Sequence, residues 1–165
     1  MVGNERDVYS GRHALVLIFA STPEQTAELV AWAAPRIPHL FGGTFSECVA
    51  GGVIRHGSLS AVVAFYDYRD LPDGGTIKVS VASDGPHWAR PAVIAAIYQY
   101  AFQQAGVFLL EVGTPFANKE TCRFLRRIGF QQDGILPHRY GRKQHMAVFS
   151  LSAEQWRRSK YFREV

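Results

Sequence analysis

The sequence predicts a single α/β domain. Three observations predict it: a run of three strand-like stretches between residues 47 and 82, a strand-helix-strand unit over 76–112, and a length that one core can serve. The 165 residues fall within the range, up to roughly 250 residues, over which a single core stays efficient. Hydrophobic residues make up 47% and charged residues 19%, a balance that offsets chain entropy without metal or disulfide staples. Loose order is expected only at the ends, residues 1–11 and 157–165.

Along the chain, residues 13–19 form an apolar run of buried-strand type. Thr22, Pro23 and Glu24 then supply an N-cap, a proline at the first helical position and an acidic first turn, so a helix is expected to about Ala34, before Pro35. Residues 47–56 and 59–68 read as strands joined by a turn at Gly57-Ser58, with the Gly51-Gly52 pair marking a bulge. After the turn 71–75, residues 76–82 alternate and are rich in β-branched side chains, which completes an antiparallel meander. The period then changes. Val93, Ile94, Ile97, Tyr98, Ala101 and Phe102 share one face of a helix over 91–104, closed by Gly106. Residues 107–112 are a short apolar strand, making a crossover within one sheet. A second helix spans 118–127 and ends at Gly129, an extended stretch begins at Phe130, and a last strand covers 144–151 before a basic tail from Ser152.

Composition narrows the partners. Cys48 and Cys122 lie far apart with no CxxC spacing, and the polar stretch 1–11 carries no apolar core of a secretory signal, so reduced thiols and a cytoplasmic protein are expected. The longest apolar run, 14–20, is too short to span a bilayer. The net charge of +4 suits an acidic partner, whether nucleic acid, an anionic cofactor or a phosphorylated substrate, and equally suits a solvated basic face. Much of it sits in the last third of the chain, at Arg123, Arg126, Arg127, Arg139, Arg142, Arg157 and Arg158.

One run of residues carries more information than the element order. Asn118-Lys119-Glu120-Thr121-Cys122-Arg123-Phe124-Leu125-Arg126-Arg127-Ile128-Gly129-Phe130, followed by Asp133-Gly134, resembles the second cofactor motif of the GNAT (GCN5-related N-acetyltransferase) superfamily, in which an Asn opens a helix and Gly-Phe closes it at a fixed distance. The physics of the spacing stands without the family: Asn118 is a good N-cap, Phe124 and Ile128 form an i, i+4 apolar pair expected to face the core, and Gly129 supplies the helix C-cap. The resemblance extends from His13 to Trp156. In look it is closest to the ribosomal-protein acetyltransferases and to phage or prophage members, on Leu125, Tyr100-Ala101-Phe102, Phe149-Ser150-Leu151 and Trp156. It implies an α+β fold with a mixed, mostly antiparallel sheet of six to seven strands flanked by helices.

The resemblance also implies a cofactor, acetyl-CoA. By position, Val79, Ser80 and Val81 would offer backbone groups to the pantetheine arm, as an added strand would be paired. Asn118, Thr121 and Phe124 would flank it on the helix. Gly85, His87, Trp88, Ala89 and Arg90 would form the pyrophosphate loop, since free N–H groups at a helix start are a ready device for holding phosphate. Here the loop Asp84-Gly85-Pro86-His87-Trp88-Ala89-Arg90-Pro91 departs from the family's glycine pattern. His87 and Trp88 carry side chains where close backbone approach is wanted, and Asp84 brings a repelling charge, whereas Arg90 offers a bidentate contact. Trp88 also reads as a packing residue.

Acyl transfer to an amine needs a deprotonated nucleophile, a polarised carbonyl and a proton for the thiolate. Relatives in the family take that proton from a Tyr at the position of Leu125, so the role is vacant here. Tyr140, His138, His145, Ser80 and Ser83 are the replacement candidates, with Asn118 and Tyr140 taken as the catalytic pair. No metal-ligand spacing occurs. The resemblance thus implies an acetyl-CoA-dependent N-acetyltransferase acting on a protein N-terminus, a lysine or a small amine, with the acceptor set by residues 35–44 and 137–143. A homodimer is left open. The alternative is a non-catalytic binding or assembly protein of the same fold, such as a virion component. Nucleic acid is not expected, because Phe and Tyr fall at core-like spacing and not as a stacking platform.

Overall fold

The computed structural model describes residues 15–37 and 47–164. The start of the first expected strand at His13, the stretch 1–11 and most of the expected acceptor loop 35–44 lie outside the described residues. Seven strands form one sheet: β1 (Leu15–Phe19), β2 (Val49–Arg55), β3 (Ser58–Leu71), β4 (Gly74–Ser83), β5 (Val107–Pro115), β6 (Gln131–Gly141) and β7 (Gln144–Ser152), in the order β1-β2-β3-β4-β5-β7-β6. β4 and β5 pair in parallel, while β1–β2, β2–β3, β5–β7 and β6–β7 pair antiparallel. The helices are α1 (Pro23–Ala33), α2 (Pro91–Gln99), α3 (Lys119–Arg127) and α4 (Ala153–Arg157). A sheet of this kind, mostly antiparallel and flanked by helices, matches the expected fold class. Chain contacts divide the molecule into two compact units, the described residues up to Asp67 with Val79–Ile97, and Tyr68–Lys78 with the described residues from Tyr98 onward.

In the first unit, α1 starts as its sequence dictates: the Thr22 side chain accepts from the Gln25 N–H at 3.1 Å, and Pro23 occupies the first turn. Its inner side joins Ala33, Ile37, Val62 and Ala82 in one apolar cluster with Leu29, Trp32 and Leu59 packed against it. The glycine pair does not make the expected bulge. Gly51 and Gly52 pair regularly with Val63 and Val62, and the register shift falls between Val53 and Ile54. The reason for glycine is space: a Cβ at Gly51 would lie 2.9 Å from Leu17 Cδ1, and one at Gly52 2.8 Å from Leu59 Cδ1. β-Branched and apolar neighbours fill the room the glycines leave.

The second unit holds an aromatic core. Phe102 stacks on Trp156 with centroids 5.1 Å apart, and Tyr98 meets Phe130 and Tyr161 edge-on at 6.0 and 5.6 Å. The helical face expected over 91–104 is buried as read, yet its last turn is not α-helical. Residues Tyr100–Gln104 form a π-turn, in which the Ala105 N–H reaches back to the Tyr100 carbonyl at 2.8 Å. The basic tail from Ser152 begins as a helix, because Ser152 and Gln155 form a capping box that opens α4. The expectation of loose order over 157–164 is corrected: Tyr161 is only 7% exposed, and Phe162 lies edge-on to Trp156 at 4.9 Å.

At the outer strand β6 nearly every side chain is exposed, including Ile135 and Leu136. Register shifts at Gln132/Gly134 and Leu136/Gly141, together with Pro137, interrupt its ladder. Such breaks keep an edge from templating another strand.

Candidate functional site

The first unit carries the end of β4 and the loop that follows. The β4–β5 ladder runs from Gly75↔Val107 to Lys78↔Glu111, whereas β4 itself continues through Val79, Ser80, Val81, Ala82 and Ser83. No β5 partner for these last residues is recorded among the described residues. Because β5 also runs on to Pro115, the two strands part here, and a strand that parts from its neighbour leaves backbone donors and acceptors at strand spacing. Val79 is buried, and Ser80 and Val81 are half-buried. The Ser80 hydroxyl is within 3.2 Å of the Tyr66 hydroxyl on β3.

Beyond Ser83 the chain turns through Gly85, whose φ of 165° is extended, into a 3₁₀ turn over Pro86–Trp88. Trp88 is 8% exposed, so its ring is a packing element of the unit, while His87 and Arg90 are exposed and Gly85 and Ala89 half-buried. The loop satisfies part of its own backbone. Ala89 N–H donates to the Pro86 carbonyl at 3.2 Å and Arg90 N–H to the Trp88 carbonyl at 2.8 Å. The first turn of α2, which Pro91 opens, offers further donors to an anion, and there the Ile94 N–H already reaches the Arg90 carbonyl at 3.0 Å. Asp84 does not stand as a bare charge: its Oδ1 accepts from Arg36 Nε at 2.7 Å.

The second unit carries the helix expected to flank the cofactor. The Asn118 side chain accepts from the Thr121 N–H at 3.1 Å, so Asn118 is the N-cap of α3 in fact as well as in sequence. The expected inward pairing of Phe124 with Ile128 is corrected. Cys122, Leu125 and Ile128 are the buried residues of this helix and its C-cap, whereas Phe124 is half-buried with the Arg127 guanidinium 5.8 Å from its ring centre. Thr121 is half-buried. Leu125 is 5% exposed and belongs to the interior of its unit.

Asn118 and the β6–β7 hairpin lie at the same end of the second unit. Asn118 N–H donates to the Pro115 carbonyl at 2.9 Å, and Phe116 N–H to the His145 carbonyl at 2.9 Å. His145 Nδ1 accepts from the His138 backbone N–H at 3.0 Å, and the two imidazoles meet edge-on at 5.0 Å. His138 has φ of 62° and its Nδ1 lies on the Arg142 carbonyl. Tyr140 is half-buried on β6. Two relationships were beyond sequence reasoning, Arg36 with Asp84 and Tyr66 with Ser80, because 48 and 14 residues separate the partners and no local pattern signals them.

Comparison with solved structures decides the architecture. A GCN5-related N-acetyltransferase from Brucella melitensis superposes with a TM-score of 0.61 at 24% identity, covering 94% of this chain and 82% of that one. A protein described as a probable acetyltransferase gives 0.65 at 13% identity, covering 91% and 98%. The fold is the GNAT fold. A variant spermidine N-acetyltransferase from Vibrio cholerae shares it as well, with a TM-score of 0.65 at 12% identity over 88% of this chain and 96% of that one. No protein-family model and no curated protein matches the sequence. In this chain the strand that parts from its parallel neighbour is β4, the loop before the long helix is 84–90, and the helix with the Asn cap is α3. No group of three or more His, Cys, Asp or Glu side chains able to hold a metal occurs among the described residues, and no helix there is long and apolar enough to cross a membrane.

Proposed function

We propose that this protein is an acetyl-CoA-dependent N-acetyltransferase acting on a primary amine. The observation that carries the reading is the end of the β4–β5 ladder at Lys78↔Glu111 while β4 runs on to Ser83. Backbone amides of Val79, Ser80 and Val81 would pair with the amide-bearing pantetheine arm, with affinity coming from main-chain hydrogen bonds as in other strand additions. The first turn of α2 and Arg90 would meet the pyrophosphate. Bound there, acetyl-CoA supplies an acyl carbon on a thiol leaving group, which departs without strong assistance because a thiol has an ordinary pKa of about 8.5.

The acceptor would approach from the end of the second unit where Asn118, His138 and Tyr140 lie. Its ammonium must lose a proton before it attacks, and an imidazole whose Nδ1 is held by a carbonyl is a suitable receiver. Small polyamines, lysine side chains and protein N-termini all present the required group. Incubation with acetyl-CoA and a panel of spermidine, lysine and N-terminal peptides, with free thiol release as readout, tests the reading. Turnover with at least one amine is expected, and absence of thiol release across the panel counts against it.

One observation favours a second reading, a non-catalytic binding protein of the same fold: the Ala89 and Arg90 N–H groups are committed to Pro86 and Trp88. Failure of the folded protein to bind acetyl-CoA at millimolar concentration would select it.

A further inference from the structure

The charge balance of the loop after β4 rests on a residue far away in sequence. Asp84 is the first residue of that loop, and its N–H reaches the Ser60 carbonyl at 3.4 Å. An anion at this point opposes binding of any phosphate at the start of α2, since like charges within a Debye length repel. Arg36, directly after α1, answers it. Its Nε donates to Asp84 Oδ1 at 2.7 Å, its Nη1 donates to the Trp32 carbonyl at 2.7 Å, and its guanidinium lies 3.6 Å from the Trp32 ring centre. Three separate interactions hold one guanidinium in place, so it cannot readily swing away to another anion. The pair is partly solvated, with side chains 31% and 61% exposed, and an exposed pair of this kind adds little to folding stability. Its effect is therefore sought in binding and not in stability.

We propose that Arg36 is a positioning residue for acyl-CoA: held in place by Trp32, it cancels the charge of Asp84 at the head of the 84–90 loop, which makes the loop acceptable to phosphate. The proposal rests on the acetyltransferase reading, and the same experiment separates the two. Calorimetric titration of the full chain with acetyl-CoA is compared for wild type, Arg36→Gln, Asp84→Asn and the double variant, with thermal melting of each as a check on folding. Arg36→Gln exposes an uncompensated carboxylate and should weaken binding roughly tenfold, a change of about 1.4 kcal/mol. Asp84→Asn in that background removes the charge that Arg36 had cancelled, and should restore affinity to near the wild-type value. Asp84→Asn alone should bind at least as tightly as wild type.

An unchanged affinity in Arg36→Gln, or a folded double variant no tighter than Arg36→Gln, overturns the proposal. If Arg36→Gln does not fold, Asp84→Asn still decides: weaker binding than wild type overturns the charge argument, and equal or tighter binding upholds it. Wild type that fails to bind acetyl-CoA overturns the acetyltransferase reading itself, whereas wild type that binds beside an indifferent Arg36→Gln overturns only the role of Arg36.

Discussion

Tyr98 donates its phenolic hydroxyl to the Ile128 carbonyl at 2.8 Å, and so fixes the buried side of its helix to the C-terminal cap of α3. Burial first, and the neighbouring Tyr161 second, push the Tyr98 pKa above its ordinary 10.0. The folded state thus holds this proton to higher pH than the unfolded chain does. Its stabilising contribution is complete below pH 10 and is lost as pH rises from there through the raised folded value.

Tyr98→Phe is accordingly expected to cost about 1–3 kcal/mol at neutral pH, because the buried Ile128 carbonyl loses its partner. The variant should also lose less stability than wild type on going from about pH 8 to about pH 11, since one alkaline titration has been removed. Denaturant unfolding at both pH values checks this. Equal alkaline losses in the two proteins would count against the assignment.

The glycines predict an order of stability. At Gly51 an added Cβ meets buried Leu17 at 2.9 Å and the Ile18 carbonyl oxygen at 3.4 Å, a side with little freedom to yield. At Gly75 its nearest atoms belong to the Tyr68 side chain, at 2.6 Å, and Tyr68 is 52% exposed, with room to swing outward. Gly51→Ala should cost about 1–3 kcal/mol, the usual range for overpacking, and Gly75→Ala clearly less. Thermal unfolding of the two variants side by side reads the difference.

How much of this was legible follows from which signals are local. The meander, the crossover and α3 were readable because alternation, helical period and the caps at Thr22, Asn118 and Gly129 are written within a few residues of where they act. The bulge assigned to Gly51-Gly52 failed because a glycine that makes room for Leu17 and Leu59 looks the same in sequence as one that kinks a strand. Phe124 reads as inward facing from its i, i+4 partner, yet Cys122, Leu125 and Ile128 hold the interior and Phe124 stays half-buried beside Arg127. The order of residues 157–164 was missed because their anchors, Tyr98 and Trp156, come from elsewhere in the chain. Of the elements that carry the candidate site, the strand and the helix caps are legible in sequence and the electrostatics are not: Asp84 reads as an unanswered charge, whereas Arg36 lies against it.

Asn118 serves as a cap, and its expected contact with acetyl-CoA can be separated from that duty. Asn118→Ala removes the 3.1 Å bond to the Thr121 N–H and should cost about 1 kcal/mol of stability. Asn118→Ser keeps a capping oxygen and should melt close to wild type while transferring acetyl groups about tenfold more slowly, a loss of about 1.4 kcal/mol in transition-state stabilisation. Full activity in a stable Asn118→Ser protein would confine the residue to capping.

Leu125 fills a buried position, so placing a tyrosine hydroxyl there should not improve catalysis. Leu125→Tyr is expected to destabilise by about 1–3 kcal/mol through overpacking, with no gain in kcat. Melting and steady-state rates measured together test this, and a stable, faster Leu125→Tyr enzyme would contradict it.

The central claim is that the edge of β4 beyond Lys78 and the start of α2 receive an acyl-CoA. Titration calorimetry of the full chain with acetyl-CoA tests it most directly. The account predicts saturable binding of one acetyl-CoA per chain in the submillimolar range, while the absence of a binding isotherm at millimolar acetyl-CoA with a folded protein would contradict it.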